Sequence, residues 1–190
     1  MIESKQDLQF YLLEDKKRNG IPLKMGGVRI WLYAILGSED CCAYRYIRCM
    51  RLCEYYINCF PTAKVKIFKI YYKMKLKQLG MKYHIKIAPN TCGYGLRIMH
   101  ISGGGGVLLN IKKAGNYCGF NAGVLLGNVG IQENRPTLGD HVAFGPGAKA
   151  FGNIAIGNNV FVAPNAVVTK DVPDNCVVGG VPAKIIKEKK

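Results

Sequence analysis

The sequence predicts a mainly β protein: a parallel β-helix of hexapeptide repeats preceded by a small α-helical domain. Three observations predict it. Leu138, Phe144, Ala150, Ile156, Val162 and Val168 recur at every sixth position. Two residues before each stand Pro136, Val142, Ala148, Ile154, Val160 and Ala166, nearly all small and apolar. Before about residue 87 this pattern is absent, and apolar residues recur at helical spacing instead.

Residues 1–86 form the predicted helical domain. Ser4 followed by Asp7 is a capping signal, with Leu8, Tyr11 and Leu12 on one helical face. Asn19-Gly20-Ile21-Pro22 stops that helix. A second helix is expected over about 39–59, supplied by Ile47, Met50, Leu52, Tyr55 and Tyr56 and broken by Pro61. Residues 64–86 hold eight lysines interleaved with Ile67, Phe68, Ile70, Tyr71 and Tyr72. Their length favours a third helix over a strand.

Residues 87–190 form the second predicted domain, the β-helix with a C-terminal tail. A unit of six is too short for a helical repeat. It suits one flat face of a triangular coil, a short strand followed by a sharp turn. The anchor points inward and the small residue two before it fits the corner. Extended backward, the frame meets Leu126, Phe120 and Ala114. Gly139, Gly145 and Gly157 follow three anchors, where glycine tolerates unusual backbone angles. Three units make a coil of about 18 residues, so roughly five coils stack, each stabilised by its neighbours.

Composition narrows the function. The chain has 190 residues and a net charge of +15. No acidic residue lies between Glu54 and Glu133. A field of one sign faces something negative or is solvated, so nucleic acid, anionic lipid and a phosphorylated cofactor are all candidates. No base-reading motif appears, which argues against nucleic acid. The start, MIESKQDLQF, carries acids and no apolar core, so a cytoplasmic protein is expected. The eight cysteines then read as small reduced hydrophobes. With no C-x-x-C pair and three histidines, no metal site is expected.

The stretch PTLGDHVAFGPGAKAFGNIAIGNNVFVAPNAVVTKDVPDNCVVGGVPAKII resembles the hexapeptide-repeat acyltransferases, which are left-handed parallel β-helix enzymes. GPGAKAFGNIAIG and VPAKI carry the resemblance most specifically. Residues 87–186 are similar to the serine acetyltransferase branch, including members that act in surface-polysaccharide synthesis. The resemblance implies an acetyl-CoA-dependent O-acetyltransferase. It also implies a homotrimer with sites shared between subunits, which the helical domain would extend to a dimer of trimers.

Acetyl transfer to a hydroxyl needs a base to take the proton as the oxygen attacks. A neutral imidazole suits this. His100, in LRIMHISGGGGVLLN, matches the family's catalytic histidine. In the hexapeptide frame it falls two before an anchor slot, on the coil body, and Gly103 to Gly106 leave room for close approach. His84 and His141 are weaker candidates, the latter at a corner.

Other family groups are replaced. Met99 stands where the branch has an aspartate that helps bind serine, the aspartate that orients the imidazole would lie near Ile85 or Lys86, and Arg135 replaces a second histidine. A zwitterionic acceptor needs a carboxylate for its ammonium, whereas a sugar hydroxyl does not. A sugar in surface-polysaccharide synthesis is therefore the favoured acceptor, with Asn121 and Arg135 donating hydrogen bonds to it. The lysine- and aromatic-rich segment would then make peripheral contact with the inner membrane surface. By position in the family, Gly127, Gly145, Pro146 and Pro164 line the coenzyme groove. Thr169, Lys170 and Lys184 lie near the adenine and its phosphate. Residues 128–136 break the repeat, with Gln132 on an anchor slot, so this segment is expected to loop out; the resemblance implies that it overhangs a neighbouring subunit's acceptor site. Lys112 occupies a small-residue slot without explanation. Two other readings stay open: serine O-acetylation in cysteine biosynthesis, and a non-catalytic basic β-helix acting as a scaffold or binding protein.

Overall fold

A computed structural model describes residues 1–60, 66–128, 130–131 and 133–189. Four helices come first: α1 (Lys5–Arg18), α2 (Gly27–Ile35), α3 (Glu39–Cys59) and α4 (Lys66–Tyr83). The Ser4 hydroxyl accepts the Asp7 N–H at 3.0 Å, so the expected cap opens α1. The helix over 39–59 stands as read, opened by Ser38. The expected breaker Pro61 and the interruption at Gln132 lie outside the described residues. The basic segment is helical only to Tyr83; winding begins at Ile85, two residues before the expected boundary. The short helix α2 was not signalled by the spacing arguments.

Winding proceeds through β1 (Ile85–Ile87) and β2 (Arg97–Met99), then β3 (Val107–Leu109), β4 (Lys113–Ala114) and β5 (Gly119–Asn121). Next come β6 (Leu125–Gly127), β7 (Thr137–Leu138) and β8 (Ala143–Phe144), then β9 (Lys149–Phe151), β10 (Ala155–Ile156) and β11 (Phe161–Val162). It closes with β12 (Val167–Val168), β13 (Cys176–Gly180) and β14 (Ala183–Glu188). Three flat faces result. The first stacks β1, β3, β6, β9 and β12; the second stacks β4, β7 and β10; the third stacks β2, β5, β8, β11 and β13. All these pairings are parallel, and only β14 folds back antiparallel on β13. The fold is a parallel β-helix with a helical cap.

The anchors behave as the frame requires. Phe120, Phe144, Ala150 and Val162 have no exposed surface, and Phe120 stacks on Phe144 with centroids 5.7 Å apart. The glycines after the anchors serve a different purpose from the expected one. A Cβ on Gly145 would lie 2.7 Å from the Pro164 nitrogen, yet Gly145 has ordinary backbone angles. Close approach of the next coil excludes a side chain there. Left-handed backbone falls elsewhere, at a column of corner residues such as Tyr117, His141, Asn159 and Asn175. An Asp/Asn ladder supports that column: Asp140 Oδ1 accepts the Asn116 N–H, Asn158 Oδ1 that of Asp140, and Asp174 Oδ1 that of Asn158, at 2.6–2.8 Å.

The frame fails in the earliest coils. Ile98 pairs with the anchor Phe120, and Leu109 pairs with the anchor Leu126. Eleven residues therefore separate Ile98 and Leu109 where six separate Phe120 and Leu126. The surplus lies in a loop at residues 100–106. The next side is one residue short, since five separate Leu109 from Ala114. Ile111, fully buried, fills that corner in place of the expected small residue, and Lys112 turns outward to donate to Asn153 Oδ1 at 2.6 Å.

One buried group joins the helices to the first coil. Arg51 of α3 has no exposed surface. Its Nε donates to Asp15 Oδ2 at 2.8 Å and its Nη1 to Glu54 Oε2 at 3.0 Å. The remaining donors reach the carbonyls of Cys92 and Gly93 at 2.9 and 2.6 Å. Asp15 Oδ1 accepts the Leu96 N–H and Glu54 Oε1 that of Asn90. Burial works against the guanidinium's charge, but Asp15 and Glu54 outweigh it and hold its pKa above the ordinary arginine value. Seven of the eight cysteines are buried and all are free. Burial pushes the Cys92 thiol up to about 12 and those of Cys49 and Cys118 to about 11, as expected of packing residues.

Replacing Arg51 by Met leaves two carboxylates buried without their counterion. Urea unfolding should show a loss of about 3–5 kcal/mol, whereas an exposed control such as Lys5→Met should change stability by less than about 0.5 kcal/mol.

Candidate active site

The edge where the third face turns into the first is the candidate site. β5, β8 and β11 end there in tight corners that stack, and β2 ends there in the 100–106 loop. The Gly123 N–H donates to the Gly106 carbonyl, Gly147 to Ala122 and Asn165 to Pro146, each at 2.9 Å. His100 leaves β2 at the upper end of this column. Its φ of 57° is left-handed and its carbonyl accepts the Gly103 N–H at 3.1 Å. The side chain is exposed. The expectation that His100 lies on the coil body two before an anchor is therefore corrected. It lies two after the anchor Ile98, in the corner, because the long loop begins at that residue.

Six of the sequence-predicted residues share this edge. Asn121 ends β5 beside Met99, and its Nδ2 donates to the Phe144 carbonyl at 2.9 Å, bonding coil to coil. Gly145 and Pro146 follow β8, Pro164 follows β11, and Lys184 of β14 pairs opposite Gly179. Pro146, Pro164 and Lys184 are exposed. From the level of His100 in β2 to that of Lys184 in β14 is five strand spacings, about 24 Å at about 4.8 Å each. Gly127, Arg135, Thr169 and Lys170 lie at a different edge, between the first and second faces. Within one chain they do not join His100. His141 is also apart: its ring stacks on Tyr117 at 5.0 Å, in the ladder column.

The tertiary structure adds two groups to the His100 loop. Glu39, in the first turn of α3, accepts the Ser102 N–H on Oε1 at 3.1 Å. His84, also left-handed, sits against the end of the loop, and its carbonyl accepts the Val107 N–H at 2.9 Å. A Cβ on Gly106 would lie 2.5 Å from that carbonyl, so the loop's last glycine is required by His84. A cleft of about 610 Å³ runs between the helices and the loop, lined by Glu39, Lys82, His84, Ser102 and Gly104 among others. Nothing local signals Glu39, which lies 63 residues upstream of Ser102. Met99, Lys86 and Arg135 stand where the family's acidic and second imidazole groups were sought. Lys86 lies in the middle of β1 and lines a separate groove of about 1060 Å³ between α4 and the first face. Among the described residues no hydrogen bond is made by the His100 imidazole, which leaves its ring nitrogens open to solvent.

The chain has curated relatives named as serine acetyltransferases. It is 43% identical over 105 residues to a serine acetyltransferase of Synechococcus elongatus, a match covering 54% of this chain and 42% of that protein. It is 38% identical over 94 residues to that of Mycobacterium tuberculosis, covering 48% and 41%. Its homologues are serine acetyltransferases. The matches span less than half the length of these two relatives, and no family model matches the sequence. Among solved structures, a serine acetyltransferase from Brucella abortus superposes with a TM-score of 0.72 at 24% identity, covering 97% of this chain and 70% of that one. The same enzyme in complex with coenzyme A superposes at 0.71 with 22% identity, covering 99% and 71%. These likenesses show that the helical cap and the β-helix recur together in one fold.

Replacing Glu39 by Ala frees the Ser102 amide. Hydrogen exchange should quicken across residues 101–106 but not in β5 or β8, with a cost in stability of about 1 kcal/mol. Unchanged exchange in the loop would show that Glu39 does not hold it.

Proposed function

We propose that the protein is an acetyl-CoA-dependent O-acetyltransferase with His100 as general base. The observation that carries this reading is the stacked edge. It presents an exposed imidazole at one end and an exposed lysine, Lys184, about five strand spacings away, with Gly145, Pro146 and Pro164 between them. A long, thin co-substrate with a phosphate at one end and a thioester at the other suits that line. The serine acetyltransferase relatives support the same chemistry. The thioester carbonyl would be attacked by the acceptor oxygen as His100 takes its proton, and the thiol of coenzyme A would leave.

The acceptor we favour is a sugar hydroxyl in surface-polysaccharide synthesis. Met99 and Lys86 offer no carboxylate for an ammonium group, and Glu39 already spends one oxygen on Ser102. The second reading, serine O-acetylation as in cysteine biosynthesis, is favoured by the names of the relatives. Gly127, Arg135, Thr169 and Lys170 enter the site only if a neighbouring protomer brings its edge against the His100 edge, as a homotrimer would. The polysaccharide reading also keeps the reaction in the cytoplasm beside the inner membrane surface, where lipid-linked sugars are held. Among the described residues no helix is long and apolar enough to cross a membrane.

The test is release of free thiol from acetyl-CoA in the presence of L-serine, nucleotide sugars or oligosaccharides. Turnover is expected with a sugar. Replacing His100 by Ala should lower it roughly 10²–10⁴-fold while coenzyme A still binds. Efficient turnover on serine alone would replace the sugar reading, and full turnover without His100 would remove the base. Binding to nucleic acid that weakens steeply with salt, with no thiol released, would favour the basic scaffold instead.

A further inference from the structure

The helical cap turns two apolar faces toward solvent. In α4 the side chains that pack on the rest of the cap are Tyr72, Leu76, Leu79 and Tyr83. On the opposite side Ile67, Ile70, Tyr71, Met74 and Met81 recur at three-, four- and seven-residue spacings and form a second stripe. Ile67 is 76% exposed, Met74 59% and Met81 64%. Six lysines share the helix (Lys66, Lys69, Lys73, Lys75, Lys77 and Lys82), and it has no carboxylate. At helical spacing they fall on both flanks of the stripe. The short helix α2 repeats the arrangement. Ile30 and Ala34 are buried, while Val28, Trp31, Leu32 and Ile35 are exposed.

The two helices border one hollow of about 370 Å³. Trp31 and Val28 stand on the α2 side, Tyr71 and Lys75 on the α4 side, and Arg45 and Arg48 of α3 contribute from the floor. Three cations are thus set among aromatic and aliphatic side chains. We propose that the outer faces of α2 and α4 dock on an anionic lipid bilayer, with lipid phosphates drawn into this hollow.

Charge decides the occupant. A second copy meeting this surface through the same faces would set lysines against lysines, and the acid-free run from residue 55 to 132 brings no counter-charge. A nucleic acid would meet its phosphates with the lysines but leave the apolar stripe between them in water. A bilayer satisfies both at once: the stripe enters the acyl boundary, the flanking lysines reach the headgroups, and Trp and Tyr sit at the interface. This surface is separate from the acetyl-transfer reading, because vesicle binding needs no acetyl-CoA. Either can fail without the other.

The tryptophan at position 31 is the only one in the chain, so it reports on this surface alone. The 190-residue chain should co-float with vesicles of equimolar phosphatidylcholine and phosphatidylglycerol, and not with phosphatidylcholine alone. On binding, Trp31 emission should shift to the blue and be quenched by brominated lipid. Ile70→Glu combined with Met74→Glu changes two exposed positions, so far-UV circular dichroism should be kept while partitioning falls roughly a hundredfold. Lys75→Ala should weaken partitioning about fivefold. Failure to bind anionic vesicles would overturn the proposal, as would binding with Trp31 emission unmoved. So would a paired-Glu variant that keeps vesicle binding but breaks an oligomer in sedimentation velocity, since a second copy would then cover this face. Retention on nucleic acid in place of vesicles would overturn it equally.

Discussion

The buried guanidinium of Arg51 joins two structures that have no common pattern. Its donors are spent on Asp15 of α1, Glu54 of its own helix and the carbonyls of Cys92 and Gly93 in the first coil. A charge taken fully out of water is tolerated only when every donor is met. The three chain segments must therefore arrive together, and this sets how the helices sit on the β-helix. Asn19 continues the same junction, donating to the Leu96 carbonyl at 2.7 Å. The coil gripped here is one of those that leave the six-residue frame, so its position is supplied from outside the repeat.

That grip has a consequence for the candidate site. The loop at residues 100–106 leaves the gripped coil and is held by Glu39 and His84, which belong to the helical part and to the turn that follows it. The imidazole of His100 is presented by a coil that the helices orient. The lower part of the same edge is built differently. There the corners of successive coils bond to one another with close contacts that only glycine permits, as at Gly145 against Pro164. One end of the edge is set by long-range polar contacts and the other by a repeating backbone geometry.

The basic character of the chain is divided between these parts. Arg51 is neutralised inside, whereas Lys66, Lys73, Lys77 and Lys82 of α4 and Arg48 of α3 are exposed, and Arg45 is half-buried with its guanidinium donating to the Tyr83 hydroxyl at 3.0 Å. The stretch between Glu54 and Glu133 supplies no carboxylate to the α4 lysines. Lys170 and Lys184, both exposed, lie on different edges of the β-helix, so within one chain they do not meet.

The hexapeptide period from Ala114 to Val168 was legible because every side of the coil makes the same demand, one buried anchor, so the pattern repeats along the chain at a fixed spacing. The cap at Ser4 and the extent of α3 were legible from spacing along the chain as well. The sequence also identified His100 as the candidate base, though through resemblance and in the wrong frame. Only the tertiary structure decided that Ile98 is the anchor beside it, that Ile111 replaces the expected small corner residue, and that the predicted site residues divide between two edges. Only it brought Glu39 to the loop. A surplus of five residues in one corner changes the register of everything before it, and a contact spanning 63 residues leaves no periodic trace. Both depend on where the chain returns in space, which spacing along the chain does not encode.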